Sequence, residues 1–285
     1  AGAARRLAMF VECNLAGADL RQANLGAAKM AGTSLAGANL SGADLVIASL
    51  ATPDLRNAKL DGANLDRCGI LDAKTEGMSW RGAKVQMITM VKVDMRTVDF
   101  TDAELDLAVL LDSNFSGRDL RGVRFHRCQF KGCDFSGSDL SGAELTQASF
   151  HQANVCDANF SDAQAERAIF MEAKAHRTRF VKTHLHQAIF QGAEVDEADF
   201  TGANVYQTNF ARSHCAGTKF GGCDLTYADF SHAHLSEADL TGANLHRAKL
   251  HRVVSERTVW PPSRATAYGD DEELGKAEDW HKNHP

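Results

Sequence analysis

The fold is decided by a five-residue unit that is clearest from Ala38 to Gly42, which reads Ala-Asn-Leu-Ser-Gly. Close variants of this unit stand at Ala18–Gln22 and Ser138–Gly142. All 15 phenylalanines fall on residue numbers divisible by five, from Phe10 to Phe230. A helix repeats every 3.6 residues and a flat strand every two, so neither explains this period. The sequence therefore predicts a coil of short extended steps joined by tight turns.

Two slots in each unit are predicted to point inward. The first is usually Leu or Phe, and the second, two positions earlier, is usually Ala. Most glycines follow the large residue by two positions, where a type II turn requires φ > 0. This slot contains no glycine between Ala143 and Gln191, so the sequence predicts a different turn type there. The pattern is irregular from residue 75 to 98, where we interpret the short Thr75 and the long Met78 as an exchange of volume.

The repeated units at Ala18–Gln22, Ala38–Gly42 and Ser138–Gly142 resemble the motif of the pentapeptide-repeat family. The resemblance extends from residue 8 to about residue 252. It implies an all-β fold, a right-handed quadrilateral β-helix of about twelve four-sided coils in which residues about 20 apart are stacked. We accordingly divide the chain into an N-terminal lead-in (1–7), the solenoid (8–252), and a C-terminal cap and tail (253–285) with a short helix.

Composition and motifs do not indicate an enzyme. The formal net charge of −6 argues against general affinity for nucleic acid or anionic membranes, and no apolar run approaches the length of a membrane span. His214 and His234 are predicted to stack one coil apart, but they lack the third and fourth ligands that zinc prefers. We therefore predict no catalytic residue, no cofactor and no metal site. Six of the seven cysteines occupy inward slots without a CxxC motif, which indicates a reducing, cytoplasmic location.

One predicted face of the solenoid carries outward aliphatic residues, which we interpret as a protein-interaction face. The alternative is a scatter of surface hydrophobes, which needs no functional explanation. The residues of this face are Leu71, Val91, Val109, Leu111, Ile169, Met171 and Ile189.

The C-terminal segment is predicted to cover the last coil or to form a homodimer contact through Trp260, Leu274 and Trp280. Residues 270–283 suit a short helix with Leu274 and Trp280 on one side, although Gly275 weakens that prediction. The N-terminal end shows no comparable cap and no initiator Met, which suggests that a preceding domain or a partner covers the first coil.

Two functions remain open at this point. The first is a non-catalytic scaffold or adaptor that binds other proteins through its side or ends. It is similar to long pentapeptide arrays fused to other domains, including accessory proteins of bacterial type VI secretion. The alternative is a DNA mimic that binds gyrase, as the resemblance to quinolone-resistance pentapeptide proteins implies. A basic belt at residues 174–186 interrupts the acidic surface that a mimic requires.

Overall fold

Short parallel strands form two sheets in the computed structural model, which describes residues 8–103 and 105–283. The predicted lead-in, residues 1–7, lies outside the described residues. Strands β1 to β5 and β7 form one sheet in the order β1-β2-β3-β4-β5-β7, and β6 pairs with β8. The strand bounds are β1 Met9–Val11, β2 Lys29–Ala31, β3 Ser49–Ala51, β4 Gly69–Leu71, β5 Thr89–Val91, β6 Leu105–Asp106, β7 Val109–Leu111 and β8 Phe125–His126.

The register between coils is 20 residues, as the resemblance implied. Met9 pairs with Lys29, and isolated bridges such as His184 with Asn204 keep the same spacing far beyond the named strands. Backbone bonds run in both directions from each coil. The Leu40 N–H donates to the carbonyl of Lys59 at 2.7 Å, whereas the Asn39 N–H donates to the carbonyl of Ala18 at 2.9 Å. The prediction of a parallel β-solenoid is therefore confirmed.

Within each unit, the inward slots form an apolar core. The large-residue positions, Leu40 and Phe190 among them, have almost no exposed surface. Phenylalanine rings one coil apart stack, as Phe170 does on Phe190 with centroids 4.7 Å apart and planes at 6°. Rings on adjoining sides of a coil meet edge to face, as Phe170 and Phe180 do at 5.4 Å and 82°. Both arrangements are those that the aromatic quadrupole favours.

The predicted change of turn type between Ala143 and Gln191 is wrong. Gln147, Arg167 and Gln187 have φ values of 59°, 57° and 58°, close to the 65° of Gly142. The same left-handed turn conformation therefore continues without glycine. An L side chain in this conformation costs about 1 kcal/mol, and the bonds between coils hold the turn regardless.

The irregular stretch from residue 75 to 98 keeps the register. The Thr75 hydroxyl fills part of its large slot and donates to the carbonyl of Asp94 at 2.5 Å. Met78 and Trp80 are fully buried beside it. The Trp80 Nε1–H meets no acceptor among the residues that the structure describes. The stretch thus fills the core with unusual side chains and buries one polar group that has a hydrogen-bond partner and one that has none among the described residues.

The repeat geometry continues past Val253. Arg257 keeps a left-handed φ of 58°, and Val259 pairs with Asp239 of the preceding coil. A 3₁₀ helix, Pro262–Thr266, and the helix α1, Glu272–Asn283, follow. None of the described helices is long and apolar enough to cross a membrane.

The chain divides into two compact units, which are described separately. The first comprises Ala1–Asp119, Val123–Ser138 and Ala148–Ala153. The second comprises Leu120–Gly122, Asp139–Gln147 and Asn154–Pro285.

Candidate functional site

In the first unit, the parallel register aligns four residues of the predicted interaction face on adjoining strands. Leu71 of β4 pairs with Val91 of β5, which pairs with Leu111 of β7. Val109 lies at the opposite end of β7, beside Thr89. Leu71 is exposed and the other three aliphatic residues are half-buried. The four residues therefore form one continuous group rather than a scatter.

The other three predicted residues lie in the second unit. Ile169 and Ile189 form a bridge between successive coils, and Asn209 continues the row. Ile169, Met171 and Ile189 are all half-buried. They form a smaller aliphatic group that ends where the row becomes polar.

A row of apolar residues at a corner of the first unit was missed in the sequence. Ile47, Met87 and Leu107 are spaced by 40 and 20 residues, so they share one corner, with Arg67 between the first two. Their exposed fractions are 56%, 37% and 39%. The corner leads into strands β3, β5 and β7, so these side chains border the group around Val91. The signal was present, because each replaces glycine or a polar residue in the turn slot.

The backbone of this corner row is left-handed. Ile47, Met87 and Leu107 have φ values of 60°, 51° and 56°. Nearly all other non-glycine residues with positive φ in the described chain are polar or charged, the exceptions being Ala27 and Tyr227. A β-branched or bulky apolar residue is a marked outlier in this region of φ/ψ space.

Charged side chains line the edge that follows strands β4, β5 and β7. Asp72, Lys92 and Asp112 occupy equivalent turn positions on successive coils. Neither carboxylate forms an ion pair with another residue that the structure describes. The edge therefore carries a small excess of negative charge, and we refer to these three residues as the acidic edge.

The three residues of the predicted cap or dimer contact have different surroundings. The Trp260 ring is half-buried, and the Arg264 guanidinium lies over it with Cζ 4.2 Å from the ring centroid. Leu274 and Trp280 are on the exposed side of α1. A dimer contact through these residues stays a prediction.

The side of α1 that meets the solenoid is polar, which the sequence did not reveal. Gly275 is buried there, and a Cβ at this position would lie 3.2 Å from Nη2 of Arg252. The same Nη2 donates to the carbonyl of Gly275 and to the carboxylate of Asp279, each at 2.8 Å. The glycine that weakened the helix prediction thus permits the helix to approach Arg252.

Glu278 is the centre of this contact. Its Oε1 lies 2.9 Å from Nε2 of His232, and its Oε2 lies 3.4 Å from Nε2 of His251 and 3.3 Å from Nη1 of Arg252. Desolvation works to raise the pKa of Glu278, but the hydrogen bonds from the two imidazoles outweigh it, so the pKa is lowered. His232, His251 and Glu278 are the one group in the described chain whose ligand atoms converge enough to hold a metal ion. His214 and His234, with rings 6.3 Å apart, have no such third ligand among those residues.

Two family profiles match parts of the chain that carry the five-residue repeat. The family profile described as "Pentapeptide repeat region" matches residues 123–198 and 143–220, and "Pentapeptide repeats (8 copies)" matches residues 8–46 and 218–254. A comparison of the sequence with curated proteins gave no significant match. The profile matches and the repeat fold fit a non-catalytic repeat protein.

Several solved structures are similar at low identity. A trypsin-treated variant of QnrB1, a plasmid-mediated fluoroquinolone resistance protein, is 17% identical, with a TM-score of 0.47, over 61% of this chain and 95% of its own. HetL, from Nostoc sp. strain PCC 7120 and involved in heterocyst differentiation regulation, is 20% identical, with a TM-score of 0.27, over 91% and 88%. A thylakoid-lumen pentapeptide repeat protein of Arabidopsis thaliana is 26% identical, with a TM-score of 0.16, over 41% and 68%. Similarities with TM-scores this low say nothing about partner or activity.

Proposed function

Because the chain belongs to the pentapeptide-repeat family, we propose that it is a non-catalytic scaffold that binds another protein through the aliphatic surface of its first unit. We call this surface the apolar face. It consists of the strand residues Leu71, Val91, Val109 and Leu111 and the corner residues Ile47, Met87 and Leu107.

The left-handed corner residues are the observation that carries this proposal. Placing Ile47, Met87 and Leu107 at positive φ costs about 1 kcal/mol each relative to glycine. Even so, each of the three side chains leaves more than a third of its surface exposed, and Ile47 leaves more than half. Strained, exposed apolar residues are found where a surface serves binding. A bound partner would bury them and offset the strain.

The partner has to bind through side chains. The backbone groups of the strands beneath the face are paired with neighbouring coils, as in the pairing of Val91 with Leu71 and Leu111. An added β-strand therefore has no free edge to join here. From corner to strand end and over three coil steps, the face measures about 13 Å by about 14 Å. That is on the order of 200 Å², well short of the roughly 800 Å² per partner of a stable complex.

The contact must consequently extend onto the acidic edge. A partner with an apolar centre flanked by Lys or Arg would complement Asp72 and Asp112. We propose another protein of a larger bacterial assembly, such as a secretion apparatus, as this partner. The aliphatic group of Ile169, Met171 and Ile189 is a second, separate contact in the second unit.

A DNA mimic is the competing function, and the ion pairs count against it. Arg21, Arg56 and Arg96 each bind the carboxylate two residues earlier, with distances of 2.7, 2.6 and 2.7 Å. These pairs neutralise acidic charge that a mimic would have to display along its surface.

The test is affinity capture with three baits followed by quantitative mass spectrometry. The first bait is the unaltered chain, and the second carries Ile47→Gly, Met87→Gly and Leu107→Gly. Glycine relieves the left-handed strain, so the second bait should melt no lower than the first. The third bait, a matched control, carries Gln147→Gly, Gln187→Gly and Gln207→Gly in the same turn slot of the second unit.

We expect the first and third baits to capture the same protein in similar amounts. The second bait should capture less than about one-tenth of that amount. The purified partner should then bind the first bait directly, and more weakly as salt is added. Gyrase subunits captured equally by all three baits would establish the DNA mimic instead. Loss of capture only with the control bait would also refute the proposed face.

A further inference from the structure

We propose that His232, His251 and Glu278 form a zinc-type divalent metal site that fastens helix α1 to the solenoid. The three residues come from two successive coils and from the helix, and their ligand atoms all lie within 4.8 Å of one another. Two imidazoles and a carboxylate are a ligand set that Zn²⁺ favours, with water in the fourth position. The inference is independent of the apolar face.

Two of the ligand separations are close to those around a tetrahedral ion. Zinc bonds of about 2.0–2.1 Å at tetrahedral angles place ligand atoms about 3.3 Å apart. Nε2 of His232 is 2.9 Å from Oε1 of Glu278, and Nε2 of His251 is 3.4 Å from Oε2. The two imidazole rings are nearly perpendicular, with centroids 5.3 Å apart. Small side-chain movements would therefore admit the ion between the three groups.

The backbone already holds the two histidines at a fixed spacing. The N–H of His232 donates to the carbonyl of His251 at 2.8 Å, so the residues are neighbours in the ladder between coils. The His251 side chain is buried, with 4% of the residue exposed. Glu278 is the one ligand of the three that α1 carries. A metal ion would thus join the helix to a rigid pair of ligands.

The neighbouring groups set the affinity. The Asp271 N–H donates to Nδ1 of His251 at 3.0 Å, so neutral His251 without metal carries its proton on Nε2. Metal binding at Nε2 moves that proton to Nδ1, so the Asp271 N–H must give up its bond to Nδ1. The Asp270 carboxylate, 3.8 Å from Nδ1, then accepts a hydrogen bond from the Nδ1–H. The Arg252 guanidinium remains near Glu278 and repels a cation. We therefore expect micromolar rather than nanomolar affinity.

Optical absorption of Co²⁺ bound to the whole 285-residue chain is the first measurement. Co²⁺ substitutes for zinc and gives visible d–d bands that are intense in tetrahedral sites. We expect one equivalent of Co²⁺ to produce these bands and Zn²⁺ to displace it. His232→Ala and Glu278→Gln should each weaken binding by more than about 100-fold, because a direct ligand matters more than an outer partner. Asp270→Asn should weaken it by about 10- to 100-fold.

Two matched controls separate this site from other histidines. One variant carries His214→Ala and His234→Ala, and the other carries His281→Ala and His284→Ala in the tail. Both should bind Co²⁺ as the unaltered chain does. The proposal is wrong if no saturable d–d bands appear. It is equally wrong if His232→Ala binds as tightly as the unaltered chain, or if the tail variant alone abolishes binding.

Hydrogen exchange supplies a second readout that does not depend on the spectrum. At a Zn²⁺ concentration of 100 times Kd, the α1 amides should exchange about 100-fold more slowly than without metal. Amides of the Phe170–Phe210 coils serve as the internal reference and should not change. Exchange of α1 that is unaffected by saturating Zn²⁺ would overturn the fastening role.

Discussion

Residues 75–98 of the first unit and residues 160–230 of the second follow one register with different interiors. In the second unit, rings such as Phe180 and Phe200 stack at 4.7 Å beneath a mostly polar surface. In the first, Thr75, Trp80 and Met90 occupy the equivalent slots. Two residues of the apolar face, Met87 and Val91, belong to this stretch. The coil geometry thus does not depend on one core composition.

The two regions should differ most in the unfolding free energy that is lost when a large core side chain is removed. Phe190→Ala removes a ring stacked between Phe170 and Phe210, with centroids at 4.7 and 5.0 Å, and should cost about 3–5 kcal/mol of unfolding free energy. Met90→Ala in the first unit should cost less, about 2–3 kcal/mol, because it removes a smaller side chain, which lies between Ile70 and Leu110. Chemical denaturation of both variants measures the difference. Equal losses of unfolding free energy would contradict this expectation.

A smaller effect tests the exchange of volume between Thr75 and Met78. Thr75→Leu overfills the slot and removes the hydrogen bond to Asp94, so it should destabilise by about 1–3 kcal/mol. Adding Met78→Ala should recover at least about 1 kcal/mol of that loss. Urea denaturation of the two single variants and the double variant gives the coupling.

The matched positions in the second unit are Ala175 and Thr178, both fully buried. Ala175→Leu should also destabilise, but Thr178→Ala should not rescue it. Thr178 frees little volume, and its hydroxyl donates to the carbonyl of Val155 at 2.8 Å. Rescue of similar size in both units would mean that no special exchange exists at Thr75.

The smallest expected change in stability concerns two surface ion pairs, one within a turn and one between neighbouring coils. Arg56 binds Asp54 within one turn, whereas Arg177 binds Asp157 on the neighbouring coil. The hydrogen bond from Arg56 lowers the pKa of Asp54 from 3.8 to about 2, and that from Arg177 lowers the pKa of Asp157. Each pair should change the unfolding equilibrium constant by less than about five-fold, since the guanidinium of each pair is exposed to solvent. Asp157→Asn should have the larger effect because only this pair joins two coils.

The direction of the pH dependence follows from the lowered pKa values. The contribution of Asp54 is complete above its ordinary pKa of 3.8 and disappears as the pH falls from there through about 2. The Asp54→Asn variant should therefore differ from the unaltered chain at pH 7 and match it near pH 2. High salt at pH 7 should also reduce the difference. A difference that persists at pH 2 would point to packing instead of charge.

The repeat predicted the core because each inward slot is a local property of the sequence. The period of five placed Leu40 and Phe190 inside, and the family resemblance supplied the 20-residue register. The turn conformation was mispredicted at Gln147 and Arg167 because glycine preference is a local tendency of about 1 kcal/mol. Bonds to the coils on either side outweigh such a preference. Tertiary context thus overrode a correct local rule.

The candidate sites were only partly accessible from the sequence. The group around Val91 followed from the register, and Met87 and Leu107 could have been found as apolar residues in a turn slot. The contact of Glu278 with His232 could not be predicted, because it joins a residue of the repeat to a helix residue 46 positions later. No periodicity links the helix to the coils. Only the path of the chain after Trp260 brings these groups together.

Each coil is hydrogen-bonded to the coil before it and to the coil after it, and this limits how the length of the chain can change. The backbone N–H groups of Leu40 and Asn39 bond to the coil after and to the coil before, so a coil needs its two neighbours and not a particular distance from either end. Duplicating one coil, for example residues 181–200, would give every copied side chain neighbours of the same kind. Inserting a single residue would instead move every later inward side chain out of its slot. The length of this protein can therefore evolve in whole coils, while shifts of one residue are selected against.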